Sequence, residues 1–387
     1  MSDDSPIYLD YAATTPVDPR VAEAMTQILS GPGLFGNPAS LGHAYGRRAR
    51  ELVETARGQV AGLIGARHMG VVFTSGATES NNLAILGAAR FAGDKKRHLI
   101  TSRTEHKAVL EPMKQLEHEG FQVTYLKPDV TGTVHAEQVV DALRDDTLLV
   151  SLMHVNNEIG VVQDIGKVGQ ACRARGVLLH VDAAQSAGKV TIDVDAMGVD
   201  LLSLTAHKIY GPKGIGALYV RPAPPLGLQP LQFGGGHERG VRSGTLPTHQ
   251  IVGLGLACAL AAAEREADAK RLTELRRRFW QGLSALDGIE LNGHPTAHVP
   301  GILNVAVHGV EGESLLLGLR GIAVSSGSAC SSGSDEASYV LRALGRSDQL
   351  AGSSIRFSFG RFTTVAEVDT AVEIVNKALR HLRELAP

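Results

Sequence analysis

The feature that most constrains the fold is a series of short apolar runs between residues 68 and 220, separated by stretches with a helical pattern. This alternation is typical of a largely parallel sheet with helices on its faces. Each run ends in polar residues, and ligands of such sheets collect beyond the carboxyl ends of the strands. We therefore treat the polar strand ends as one candidate site. The candidate strands are 71–73, 98–100, 148–152, 177–181 and 201–204.

Length and charge narrow the class of protein. A chain of 387 residues is long for one compact core and predicts two domains. The net charge of -2, with both signs interspersed, argues against a nucleic-acid partner. The N-terminus lacks a signal pattern, and the longest apolar run, 251–263, is too short to span a membrane. We expect a cytoplasmic protein that acts on a small molecule and has no membrane partner.

Two residues at strand ends indicate the chemistry. Lys208 follows the apolar run 201–204, where partial desolvation favours the neutral amine that attacks a carbonyl to form a Schiff base. An ordinary exposed lysine is the alternative for any single position of this kind. Asp182 ends the run 177–181, and a carboxylate there can keep the ring nitrogen of pyridoxal phosphate protonated. The pair predicts a pyridoxal 5'-phosphate site.

The whole chain resembles the cysteine desulfurases, which are pyridoxal phosphate enzymes, in the branch that supplies sulfur for iron-sulfur cluster assembly. The resemblance runs from Tyr8-Leu9-Asp10-Tyr11-Ala12-Ala13-Thr14-Thr15-Pro16 to Arg356-Phe357-Ser358-Phe359-Gly360-Arg361-Phe362. It implies an α/β protein of PLP-dependent transferase fold type I, with a mostly parallel seven-stranded sheet in a large domain and a smaller α+β domain. We expect the large domain at 18–263 and the small domain at 1–17 and 264–387.

The resemblance also assigns the strand-end residues to parts of the cofactor. Without it, the stretch 74–82 is equally well explained as an ordinary capped helix, and a histidine such as His106 is more often a plain loop residue. The implied contacts are Ala77, Thr78, Thr205 and His207 at the phosphate, His106 stacked on the ring and moving protons, Asn157 and Gln185 at the phenolic oxygen, Asp182 at the ring nitrogen, and Lys208 at the carbonyl carbon.

A glycine-rich, basic loop covers residues 234–247. A flexible connector is the simplest interpretation of such a composition. In the family this loop reaches the neighbouring subunit, and the residue matching Thr245 touches the partner's phosphate. The resemblance therefore implies a homodimer with shared active sites.

The three cysteines fall into two groups. Cys172 and Cys258 lie in helical patterns, where cysteine is usually a small buried apolar residue. The sequence has no Cys-x-x-Cys pair, which argues against a disulfide framework and against a cysteine-rich metal site. Cys330 lies within 325–334, where eight of ten residues are serine or glycine. This composition predicts an accessible thiol on a mobile loop, either without a role or catalytic. The resemblance makes Cys330 the nucleophile that carries a persulfide.

The implied reaction converts L-cysteine to L-alanine and leaves the sulfur on Cys330, from which a sulfur-acceptor or iron-sulfur scaffold protein would take it. By resemblance, Arg356 binds the substrate carboxylate, and Asn37 lies near the substrate. A selenocysteine lyase or a cysteine desulfhydrase would share almost every cofactor contact. A sulfur-relay platform and a catalytically silent homologue are further alternatives.

Overall fold

The computed structural model of the chain describes residues 5–326 and 337–385. The strands are β1 Ile7–Tyr8, β2 Val71–Thr74, β3 His98–Ser102, β4 Gln122–Leu126, β5 Thr147–Met153, β6 Leu178–Asp182, β7 Leu201–Thr205, β8 Gly216–Val220, β9 Ile289–Asn292, β10 Ile302–Val307, β11 Ile322–Ala323, β12 Ser325–Ser326 and β13 Ser354–Ser358. The α-helices are α1 Pro19–Ser30, α2 Ala44–Leu63, α3 Ala77–Ala92, α4 Lys107–His118, α5 Ala136–Ala142, α6 Ile165–Ala174, α7 Thr248–Ser284, α8 Gly312–Gly318, α9 Tyr339–Ala343, α10 Asp348–Gly352 and α11 Val365–Leu385. Short 3₁₀ turns cover His68–Gly70, Gly93–Lys95, Ala206–Lys208 and Glu238–Gly240.

The main sheet has seven strands in the order β2-β8-β7-β6-β5-β3-β4. Only β8 runs antiparallel to its neighbours within this sheet, so the predicted mostly parallel α/β fold is confirmed. The five predicted strands are present as β2, β3, β5, β6 and β7. The edge strand β4 was not predicted, because its residues are mostly half-exposed and form no continuous apolar run.

A second, four-stranded sheet has the order β12-β13-β10-β9, and β1 pairs with β11. Helix α7 joins the two parts of the core: its first half packs on the main sheet through Ile251 and Leu254, and its second half packs on the second sheet through Leu275 and Phe279. Helix α11 covers the same second sheet. The domain boundaries at 17/18 and 263/264 stay a prediction.

A buried ion pair fixes the start of the glycine-rich loop. Both carboxylate oxygens of Glu238 accept hydrogen bonds from the Arg57 guanidinium at 2.8 Å, and Oε2 also accepts from the amide of Phe73 in β2 at 2.8 Å. Both side chains are almost fully buried. Removing one partner of such a pair would leave an uncompensated buried charge. The loop is therefore held against β2 at Glu238.

Local signals at the C-terminal helix match the sequence. Thr364 and Glu367 form the predicted capping box: the Thr364 amide donates to Glu367 Oε2 at 2.7 Å, and the Glu367 amide donates to Thr364 Oγ1 at 3.2 Å. Among the helices of the described residues, none has the length and apolar character that a membrane span requires.

A buried histidine gives the fold a testable pH dependence. His180, in β6, has no exposed surface, and its ring nitrogens hydrogen-bond Ser151 Oγ at 2.8 Å and Ser203 Oγ at 3.0 Å. Burial lowers the pKa of His180 to about 4. An unfolded histidine titrates near a pH of about 6.5, so the unfolded chain binds the proton first as the pH falls. The stability that the neutral ring contributes is complete above pH ~6.5 and is lost toward pH ~4.

We expect His180→Gln to flatten the pH dependence of stability. Between pH 7 and pH 4, the wild-type free energy of unfolding should fall by about 3 kcal/mol more than that of the variant. Urea unfolding at a series of pH values measures the difference, and contributions from other groups cancel in the comparison. His381→Gln, at an exposed position, is the matched control. Parallel curves for wild type and His180→Gln would contradict the expectation.

Candidate active site

A cavity of about 570 Å³ opens at the carboxyl ends of the main-sheet strands. Its walls come from the strand ends, from the segment after β1 and from β13. The predicted site residues that line it are Ala77, Thr78, His106, Asn157, Asp182, Gln185, Thr205, His207, Lys208 and Arg356. The structure thus brings together residues that are spread over 280 positions of the sequence, from 77 to 356.

Three predicted residues are not among those that line the cavity. Thr245 is exposed and lines a neighbouring recess, which shares Ser75 and Gly214 with the cavity. Asn37 is exposed in the loop before α2, and its Oδ1 accepts a hydrogen bond from the Ala39 amide at 2.9 Å. Cys330 lies outside the described residues. The roles of all three stay predictions.

Asp182 lies at the end of β6, where two donors fix its carboxylate. Oδ2 accepts from Asn81 Nδ2 at 2.7 Å, and Oδ1 accepts from the Ala184 amide at 2.9 Å. Asn81 belongs to α3, so a helix side chain and a turn amide hold the carboxylate from two directions. The side chain is 5% exposed, which gives a ligand in the cavity a carboxylate of fixed orientation.

His106 caps the N-terminus of α4. Its Nδ1 accepts a hydrogen bond from the Ala108 amide at 3.0 Å, so the neutral ring must carry its proton on Nε2. Burial is the main cause that lowers the pKa of His106, and the nearby Lys208 cation adds to it. The geometry therefore provides a neutral imidazole with a defined tautomer on one wall of the cavity.

The first turn of α3 forms an anion-binding corner. Its N-cap, Gly76, has a φ of 153° that favours glycine, and no side chain caps the helix, so the amides of Ala77 and Thr78 lack intrahelical acceptors. The hydroxyl of Thr205 lies nearby, since a Cβ added at Gly76 would be 3.8 Å from it. These donors would suit the phosphate contacts that the resemblance implies, and those contacts stay predictions.

His207 and Lys208 lie in the 3₁₀ turn that follows β7. The backbone oxygen of His207 accepts from the Thr15 amide at 2.8 Å, which ties this turn to the N-terminal segment. Burial lowers the pKa of His207 to about 4, and its Nδ1 is 3.1 Å from Thr14 Oγ1. Lys208 is half-buried and extends the series of cationic and polar groups around the cavity.

Arg356 reaches the cavity from β13 of the second sheet. Its Nη1 donates to the backbone oxygen of Asn157 at 2.8 Å, and its Nη2 donates to Asp10 Oδ1 at 2.6 Å. The buried Nε has no acceptor among the described residues. The guanidinium as a whole lines the cavity, where a cation with several N–H groups suits a carboxylate ligand.

Asp10, Asn81 and Lys189 are residues of this site that sequence reasoning missed. Asn81 lies four residues after Ala77 in α3, so helical spacing could have placed both on one face. Lys189 lies seven residues after Asp182 in a run of turns, and its Nζ donates to Gln185 Oε1 at 2.7 Å. No sequence pattern indicated a role for Asp10, because that role depends on an ion pair with Arg356, 346 residues away in the chain.

The residues of the cavity fit pyridoxal phosphate. The uncapped start of α3 suits the phosphate, the fixed Asp182 carboxylate suits a protonated ring nitrogen, and Lys208 supplies an amine. The guanidinium of Arg356, which lines the cavity, suits the carboxylate of an amino acid.

Comparisons with known proteins agree with this geometry. The aminotransferase class-V family model matches residues 7–371. The cysteine desulfurase IscS of Shewanella baltica is 59% identical over 382 residues, which cover 99% of this chain and 95% of that protein. The cysteine desulfurase IscS of Shewanella putrefaciens is also 59% identical over 382 residues, with the same coverage of both chains.

Solved structures give the same result. A NifS-like protein has a TM-score of 0.90 and 36% identity, covering 97% of this chain and 100% of its own. SspA in complex with cysteine has a TM-score of 0.82 and 40% identity, covering 92% of this chain and 100% of its own. This chain therefore belongs to the class-V aminotransferase family, within its pyridoxal phosphate-dependent cysteine desulfurases.

Proposed function

We infer that the protein converts L-cysteine to L-alanine and transfers the sulfur to a cysteine of its own chain. The observation that carries this inference is the cavity in which Lys208, Asp182 and His106 from the main sheet meet Arg356 from the second sheet. The identity to cysteine desulfurases and the SspA structure with cysteine support L-cysteine as the substrate.

Each residue of the cavity has a separate task in this proposal. Pyridoxal phosphate, when bound, supplies an electron sink for the negative charge that develops at the substrate α-carbon. Asp182 holds the proton on the ring nitrogen, and Lys208 Nζ accepts the proton that leaves the α-carbon. Arg356 binds the substrate carboxylate through its donors, and His106 moves protons through Nε2.

We propose that Cys330 performs the sulfur step. Its thiolate attacks the substrate sulfur; a sulfur–sulfur bond forms while the substrate carbon–sulfur bond breaks, and that electron pair stays with the carbon fragment. Protonation of this fragment gives L-alanine, so L-cysteine plus a thiol yields L-alanine plus a persulfide. The serine- and glycine-rich sequence around Cys330 supports this role, as does the burial of Cys172 and Cys258.

We further propose that the persulfide sulfur passes to an acceptor or iron-sulfur scaffold protein in the cytoplasm. The family relationship supports a use in iron-sulfur cluster assembly or other sulfur trafficking. A reducing compartment keeps the Cys330 thiol available between turnovers, which supports the location.

We propose a homodimer with shared sites. Thr245 is exposed at the end of a loop that Arg242 ties to Glu79 in α3, with Nε 2.8 Å from Oε1. Large apolar side chains are exposed near this surface and before α2, including Phe233 at 78% and Phe35 at 73%. Apolar side chains as large and as exposed as these support burial against a second copy of the chain.

Lys208→Ala tests the anchoring of the cofactor and the proton transfer together. The purified wild type should show the visible absorbance of bound pyridoxal phosphate and release alanine from L-cysteine. The variant should lose the covalent absorbance, and its turnover should fall at least about 100-fold, because a positioned base is removed. Lys213→Ala, an exposed lysine that lines the same cavity, is the matched control. A Lys208→Ala variant that keeps its absorbance and turnover would contradict this part of the proposal.

Cys330→Ser separates the sulfur step from the cofactor chemistry. The variant should keep the visible absorbance and its change on addition of L-cysteine, but lose persulfide and alanine formation, because a serine hydroxyl is a poor nucleophile toward sulfur. Alanine, pyruvate, sulfide and protein-bound persulfide are measured together, with Cys258→Ala as the control. Alanine release at the wild-type rate from Cys330→Ser would favour a selenocysteine lyase-like mechanism, which turnover of selenocysteine tests. Pyruvate and sulfide in place of alanine would favour a desulfhydrase.

Thr245→Ala tests whether the sites are shared. The dissociation constant for pyridoxal phosphate should rise on the order of tenfold, since one hydrogen bond to a charged phosphate is lost. If Thr245 serves the partner, a mixture with Lys208→Ala should regain tight sites, because each mixed dimer pairs an intact Lys208 with an intact Thr245 in one site. Thr296→Ala, at an exposed position, is the control. A fully active monomer in light scattering, or no gain on mixing, would contradict shared sites.

A further inference from the structure

A lysine that the proposed mechanism does not use lies behind the candidate site. Lys189 Nζ donates to Gln185 Oε1 at 2.7 Å, and Gln185 Nε2 donates to the backbone oxygen of Ala12 at 2.7 Å. Gln185 is 3% exposed and lines the main cavity, whereas Lys189 lines a second cavity, and Ala12 and Lys208 line both. The chain Lys189–Gln185–Ala12 therefore connects the two cavities through one buried amide.

The two contacts together fix which end of the amide faces which way. A backbone oxygen only accepts, so the Gln185 amide must direct an N–H toward Ala12. Lys189 supplies the donor for the opposite end, so the amide oxygen faces away from Ala12. A flip of the amide would bring its oxygen against the Ala12 oxygen and remove the acceptor of Lys189. One Gln185 N–H is occupied by Ala12, and the second stays available on the same side.

Without Lys189, this arrangement would lose its support. The Gln185 oxygen is buried, and a buried acceptor without a donor is strongly unfavourable. The amide would then rotate toward another donor and change what it presents to the cavity. Lys189 can reach Gln185 because it follows four residues later in the run of turns after Asp182.

The charged groups around Lys189 come from several elements. Burial is the largest cause that lowers the pKa of Lys189 to about 7. The cations Lys208, after β7, and Arg356, on β13, lower it further because they disfavour a second positive charge nearby. Across the second cavity lie Arg265, Asp268 and Arg361. The hydrogen bond to Gln185 forms with either protonation state, because both the ammonium and the neutral amine carry N–H groups.

We infer that Lys189 is a positioning residue: it holds the Gln185 amide so that an N–H, and not the oxygen, faces the phenolic oxygen of the cofactor. The inference rests on the proposed function, because it takes Gln185 as a contact of that oxygen. An N–H donated to the phenolic oxygen would stabilise negative charge on that oxygen. The oxygen would then attract the proton on the adjacent Lys208 nitrogen less strongly, and the pKa of that nitrogen would be lower. Loss of Lys189 should therefore make that nitrogen more basic.

The pH titration of the visible absorbance of the holoenzyme measures this effect directly. Lys189→Met should raise the midpoint of the titration by about 1 pH unit. This is the size expected when a hydrogen bond to a charged group is lost. Lys189→Arg retains a donor and should keep the wild-type midpoint. Lys189→Leu, which also lacks a donor, carries the same test if Lys189→Met does not fold.

A double-variant cycle separates positioning from simple loss of a nearby charge. In a Gln185→Ala background, Lys189→Met should produce no further shift, because the amide that it positions is gone. An equal shift in both backgrounds, or no shift in either, would overturn the inference. A wild type without visible absorbance would instead overturn the proposed function, so the two failures are distinguishable.

Discussion

A buried guanidinium joins the two sheets at the active site. Arg356 belongs to β13 of the second sheet, yet it donates to Asn157, in the loop after β5 of the main sheet, and pairs with Asp10 near the N-terminus. Arg356 is 3% exposed and the Asp10 side chain is 19% exposed, so removal of Asp10 would leave a buried charge without its partner. The position of β13 against the main sheet is therefore strongly specified. The interaction that joins the sheets also orients the group that is proposed to bind the substrate carboxylate.

Burial sets the protonation states around this junction. It lowers the pKa values of His106 and His207, and it raises the pKa of Glu158 to about 7 and that of Glu105 well above its ordinary range. Groups without a charged partner are thus held toward their neutral forms. Other ionisable groups at this junction have a partner of opposite charge, as in the Arg356–Asp10 ion pair. Of the carboxylates that line the cavity, Asp182 and Glu79 each accept hydrogen bonds from fixed donors. Lys208, Lys213 and Arg356 on the same walls suit the negative charges of a phosphate and a carboxylate.

Sequence reasoning succeeded where function coincides with a strand end. Asp182, Thr205 and Lys208 each follow an apolar run, and the parallel register brings such ends to one edge, so their meeting could be predicted. It failed where a residue acts through a distant partner. Asp10 acts through its ion pair with Arg356, and Lys189 acts through its hydrogen bond to the Gln185 amide. No sequence pattern indicates either contact. Strand β4 was missed for a different reason: a half-exposed edge strand needs no apolar run.

The three cysteines illustrate how the chain can direct sulfur chemistry to a single position. Cys172 in α6 and Cys258 in α7 are 1% and 0% exposed. Burial raises the pKa of Cys172 to about 12 and that of Cys258 further, so neither thiol supplies a thiolate at neutral pH. Cys330 lies instead in a sequence of serine and glycine with little apolar surface to bury. Because the thiolate is the nucleophile, the burial of the two helical cysteines disfavours sulfur transfer to them. The composition around Cys330 supports the proposal that the sulfur step takes place there.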